Sequence, residues 1–147
     1  MRRVYKWIAH LIALGVLLQA AFVASAWFQT INDIDGGLTI TEDYEGNLGH
    51  SLHGTNGFMV MPVVGLIFFI VSFFAKLPGG VKWAGFTFLA IVVQVVLALV
   101  AFGAPIVGLL HGINAFLVFG LALYAGRRVA AGVTEHDHVH TGAAATV

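Results

Sequence analysis

Two histidines occupy matching places in a segment that the chain carries twice. Leu52-His53-Gly54-Thr55-Asn56-Gly57-Phe58-Met59-Val60 returns as Leu110-His111-Gly112-Ile113-Asn114-Ala115-Phe116-Leu117-Val118, with six of nine positions identical. Each copy opens a long apolar run, where a polar side chain without a partner is costly. The same costly pair, His and Asn, placed in both copies implies one job that the copies do together. Two imidazoles from separate helices can hold one metal between them. A zinc site normally takes three or four protein ligands, and the apolar runs supply no carboxylate, nor does the chain contain cysteine. A haem iron with two axial histidines asks for no more than this pair. His53 and His111 are therefore the expected metal ligands, and haem b the expected cofactor.

The residues beside the pair suit a flat macrocycle. Gly54 and Gly112 follow the histidines and remove bulk next to a ligand. Gly57 and Ala115, four residues on, share the histidines' helix face. Asn56 and Asn114, three residues on, approach that face too. Together with Gln19 and Gln94, which sit in the other two apolar segments, they are placed to hydrogen-bond a ligating imidazole or a porphyrin substituent. Bonds of that kind fix the orientation of a ligand's ring. His50 lies three residues before His53 on roughly the same face. It is counted with the cofactor-binding set as an alternative ligand, a proton carrier or a propionate contact; simple exposure at the helix start is the competing reading. Blander readings exist for all of these types. Asn and Gln in apolar helices often only join neighbouring helices, and small residues often mark close packing. The paired occurrence weighs against them.

The elements that must position these residues follow from hydropathy. Of 147 residues, 59% are hydrophobic and 10% charged, and the mean hydropathy is +0.93, well outside the soluble globular range. Four apolar segments, about 8–28, 52–75, 83–102 and 106–125, contain no Asp, Glu, Lys or Arg. Each is near the ~20 residues needed to cross a bilayer as a helix. All seven Lys and Arg residues fall on one side of a four-span arrangement: Arg2, Arg3, Lys6, Lys76, Lys82, Arg127 and Arg128. That asymmetry predicts both termini in the cytoplasm of a multi-pass cell-membrane protein. The first connection carries Asp33, Asp35, Glu42, Asp43 and Glu45 and no Lys or Arg, as an outer loop can. Arg2, Arg3 and Lys6, the first apolar run and Ala24-Ser25-Ala26 also fit a cleaved signal peptide. The length of the run, and Gln19 with its counterpart Gln94, favour a retained helix.

The repeat extends to whole hairpins, since Val16-Leu17-Leu18-Gln19-Ala20 is similar to Ile91-Val92-Val93-Gln94-Val95. The expected fold is all-α: an integral membrane up-down four-helix bundle, built from two parallel-repeat helical hairpins related by a pseudo-two-fold axis along the membrane normal. The second and fourth helices then lie across a diagonal, with His53 and His111 at one depth near the outer face. Residues 1–128 form this domain, and 129–147 a disordered cytoplasmic tail. Its Glu135-His136-Asp137-His138-Val139-His140 tract is a weak metal-binding pattern, read as solvated. His10 is read as interfacial. The sequence offers no phosphate-binding glycine loop, no Ser/His/Asp arrangement and no basic patch for nucleic acid.

The stretch Leu110–Phe119, together with Gln94 and Gly103-Ala104-Pro105, resembles one four-helix half of haem A synthase. Small four-helix bacterial membrane proteins with a similar His-x-x-Asn-Ala segment also resemble it. The resemblance implies haem ligation by the matching positions, His53 and His111. It also exposes departures: His50 and Gly54 stand where that family's catalytic half has the Glu and Arg of its Glu-x-x-His-Arg pattern. The reading is a membrane haem b protein, cytochrome-like in electron transfer or engaged in haem sensing or handling, and not an enzyme by itself. Its implied partners are the lipid bilayer and a redox partner or larger membrane complex. The alternatives are a cofactor-free accessory subunit and a haem-modifying enzyme, for which a homodimer would complete eight helices.

Overall fold

The structure is a computed structural model that describes residues 1–143, with side chains through Arg128. Helix α1 spans Arg2–Asp35. It continues past the apolar segment because Gln29–Asp35 contains neither Gly nor Pro, and it stops at Gly36-Gly37. Gly37 has φ 104°, a conformation open to glycine and costly for other residues. Helix α2, Leu48–Thr55, starts at an N-cap made by Asn47, whose side-chain oxygen accepts from the amides of Gly49 and His50.

Immediately after α2, Asn56–Val60 form a π turn, followed by α3, Met61–Ala75. Pro62 accounts for the turn. It has no N–H to give the carbonyl of Phe58, and its ring crowds that oxygen. The backbone widens instead, so that the Met61 N–H reaches the carbonyl of Asn56, five residues back. Helix α4 spans Gly80–Gly103. A short 3-10 turn at Pro105–Val107 leads into α5, Gly108–Ala143. The tail expected over 129–147 lies outside the residues whose side chains are described.

Four helices are long and apolar enough to cross a membrane: Arg2–Asp35, Leu48–Ala75, Gly80–Gly103 and Pro105–Arg128. They form a four-helix bundle. α1 packs against α5 and against α2–α3, and α4 packs against α3 and α5, so α3 faces α5 across one diagonal. The interior is built largely from small residues, including Ala9, Ala13, Ala84, Ala90, Ala122 and Ala125. Many large apolar side chains point outward instead, Leu14, Leu17, Ile67, Phe74 and Leu99 among them. At the basic end, Tyr5 donates to the Gly80 carbonyl at 3.0 Å and its ring packs 4.6 Å from that of Phe68. At the other end Gly49 lies so close to α1 that a Cβ there would stand 2.6 Å from the backbone nitrogen of Ala26.

Candidate functional site

The two repeated segments meet inside the bundle at the acidic-loop end. His53 reaches in from α2 and His111 from α5, and their ring centres are 6.3 Å apart with the planes at 58°. Both rings are fixed in the same way. The Nδ1 of His53 lies 3.1 Å from the backbone carbonyl oxygen of Gln19, and the Nδ1 of His111 lies 3.1 Å from that of Gln94. A carbonyl can only accept, so each Nδ1 carries the proton and donates. In the neutral ring the other nitrogen, Nε2, is then a free acceptor. The sequence reading placed the side chains of Gln19 and Gln94 to bond an imidazole or a porphyrin substituent; it is the backbone of those residues that holds the imidazoles.

The histidines line a cavity of about 340 Å³ that all four helices wall. Gly57 and Ala115, one turn below them, line it as predicted from helix periodicity, and so does Gly112. The side chains of Gln19 and Gln94 also reach its wall, and Val16, Ile91 and Phe119 help make the rest apolar.

Asn56 and Asn114 do not line this cavity. Their amides are used to bind helix to helix. Asn114 donates to the Ala90 carbonyl at 2.9 Å and to the Gln94 Oε1 at 2.7 Å, and Asn56 donates to the Gly15 carbonyl at 3.3 Å. Gly54 also stays off the cavity wall, and a Cβ there would meet nothing within 4 Å. His50 is turned to the helix start: its Nδ1 accepts from the Asn47 backbone N–H at 3.2 Å, closing a capping box in which histidine stands in for the usual Glu or Gln. Its ring meets Tyr44 edge-on at 6.4 Å. Tyr44 and Asn47 in turn bond Thr30, which ties the acidic loop to α1. His10 sits at the opposite end, 2.6 Å from the Lys6 carbonyl.

Sequence reasoning missed three features of the site. The carbonyls that hold the rings carry no side-chain signal. The Asn47 cap is legible only if histidine is allowed at the third position of a capping box. Met61 lines the cavity floor and fills the notch left by Gly15; its spacing from His53 is that of a helix broken by the π turn. Among the described residues, no group of three or more His, Cys, Asp or Glu side chains comes together. No family model matches this chain, and no curated protein or solved structure does either.

Proposed function

We propose that this chain is a multi-pass membrane protein that holds one b-type haem between His53 and His111 near the outer end of its bundle. The observation that carries the reading is the pair of imidazoles itself. They come from diagonal helices, each is tied through Nδ1 to a helix carbonyl, and each is left with an acceptor Nε2 at one shared apolar cavity. Two acceptors at one cavity do not suit a quinone, whose carbonyls are acceptors as well. They suit a Lewis acid. The ring centres stand 6.3 Å apart, close enough for both imidazoles to hold one metal ion between them.

Gly57, Gly112 and Ala115 fit the same picture, because small residues beside the ligands leave room for a planar ring. When bound, the iron supplies one-electron chemistry. The chain's own residues hold and orient it. The Gln19 and Gln94 carbonyls fix ring tautomer and direction. The apolar walls limit water and lower the local dielectric, both of which tune a haem potential. With His53 and His111 both engaged as its ligands, the group would serve electron transfer or haem handling rather than oxygen chemistry. On this reading the chain is equivalent to a cofactor-holding half of haem A synthase.

Small residues inside and large apolar ones outside suit lipid as the surrounding medium. The distribution of Lys and Arg then sets both termini in the cytoplasm. The accessory-subunit reading needs polar groups left for a partner, whereas the Asn56, Asn114 and Gln94 amides are bonded within the chain and the unpartnered Gln19 amide lines the cavity. The deciding experiment is the visible spectrum of the full chain purified from haem-replete cells. A Soret band with low-spin bis-histidine features is expected, and its absence overturns the proposal. Reporter fusions at Gly46 and at the C-terminus should report opposite sides of the membrane; the same side for both overturns the four-span topology.

A further inference from the structure

Four side-chain amides stand near the cavity, and one of them is unused. Gln94 donates to the His111 carbonyl at 3.0 Å and accepts from Asn114 at 2.7 Å. Asn56 and Asn114 each bond a helix carbonyl. The Gln19 side chain, which lines the cavity, makes no hydrogen bond among the described residues, and its Oε1 is sealed from water with no partner. Its Nε2 lies over Gly57, where a Cβ would come within 2.5 Å of it. The amide therefore has an unpartnered donor and acceptor, and a turn of the side chain off Gly57 brings the sealed Oε1 to the cavity. Rotation about its terminal torsion, which is broad and roughly two-fold, exchanges the two.

We infer that Gln19 pairs with a neutral carboxylic acid on the bound macrocycle, a propionic acid side chain, through two antiparallel hydrogen bonds. The inference rests on the haem reading above. In the pair, the Gln19 N–H donates to the acid's carbonyl and the acid's O–H donates to Oε1. The surroundings favour the neutral form. Among the described residues, the only titratable ones lining the cavity are His53 and His111, whose rings are committed elsewhere, and no Lys or Arg lines it. The end of α1 and the loop after it carry Asp33, Asp35, Glu42, Asp43 and Glu45, which repel an ionised carboxylate. His50, the remaining basic group there, has its Nδ1 in the α2 cap. An acid kept out of water without a cation is held neutral, and an amide with both functions free is its natural partner.

The test is reconstitution of the full chain, stripped of cofactor, with iron protoporphyrin IX and with its dimethyl ester. The wild type should bind the free acid roughly tenfold more tightly, as two hydrogen bonds imply. Gln19→Leu should bring the ratio near one while keeping the low-spin spectrum. Gln94→Leu should weaken both compounds alike and leave the ratio unchanged. Gly57→Ala, which pushes the Gln19 amide off its seat, should also lower the ratio, and it carries the test if Gln19→Leu does not fold. Equal binding of acid and ester by the wild type, or a preference that survives Gln19→Leu and Gly57→Ala, overturns this inference alone. Uptake of neither compound overturns it together with the haem reading.

Discussion

Around His111 the polar groups form a closed set. Its ring is held by the Gln94 carbonyl, its own carbonyl accepts from the Gln94 amide, and Asn114 joins that amide to the carbonyl of Ala90. Around His53 the same residue types keep only half of this. The ring bond to Gln19 is present at the same 3.1 Å, and Asn56 reaches Gly15, the position equivalent to Ala90, at 3.3 Å. Neither bond of the Gln19 side chain is made. At the position beside the glutamine amide the copies differ by one methyl group: Ala115 in the second copy, Gly57 in the first. Without that Cβ the Gln19 amide lies over the backbone. The contrast teaches which parts of the site are robust. A backbone carbonyl orients each histidine whatever the side chain does, so that bond survives in both copies. The amide bonds depend on rotamers and have diverged.

The largest effect expected from breaking the comparison is at the histidines. His53→Ala and His111→Ala should each abolish the low-spin spectrum of the haem-loaded protein, leaving high-spin haem or none. A low-spin spectrum surviving one of them would mean that the copies do not share one metal. Next in size is Gly49, which presses on α1 at a place where the second copy has Val107. Gly49→Val should destabilise the protein by about 3 kcal/mol, since the new side chain overpacks a backbone contact. Thermal unfolding in detergent would read this, and Val107→Gly should do far less.

The asparagines come third. Asn114→Ala removes two short bonds and should cost about 1–2 kcal/mol, whereas Asn56→Ala removes one long bond and should cost about 0.5 kcal/mol. Equal losses would show that bond length and number are a poor guide here. The smallest effect is expected from Gly57→Ala. It should turn Gln19 toward the bonds made by Gln94 and change stability by about 0.5 kcal/mol or less, because the displaced atom is the end of a flexible side chain. A vibrational shift of an isotope-labelled glutamine carbonyl, seen without loss of the fold, would record the turn.

Much of this was legible in the sequence. The four apolar segments each became a helix, and the shared spacing of His53 with Gly57 and of His111 with Ala115 put all four on one cavity. The length of α1 was not legible from hydropathy, which stops counting at Phe28 while nothing in Gln29–Asp35 stops a helix. The inward aim expected of Asn56 and Asn114 failed for a different reason. Periodicity gives a direction about the helix axis, but a short amide at i+3 is captured by the nearest carbonyl of the neighbouring helix before it reaches the cavity. His50 likewise shares a face with His53 by spacing, yet the open amides at the start of α2 claim it. The π turn was not legible either, because a proline within a helix disturbs it without fixing the form.

The π turn bears on how a duplicated segment ages. Above it, His53 and Asn56 match His111 and Asn114 at an offset of 58 residues. Below it, the buried positions Met61, Gly65 and Phe68 match the buried Val118, Ala122 and Ala125 at an offset of 57. In an uninterrupted α-helix one extra residue would swing everything beneath it by about 100°, and the buried face would turn outward. The wide turn absorbs the surplus within five residues, where the recognisable repeat also ends. Site and core thereby each keep their own facing although the first copy carries one residue more between them.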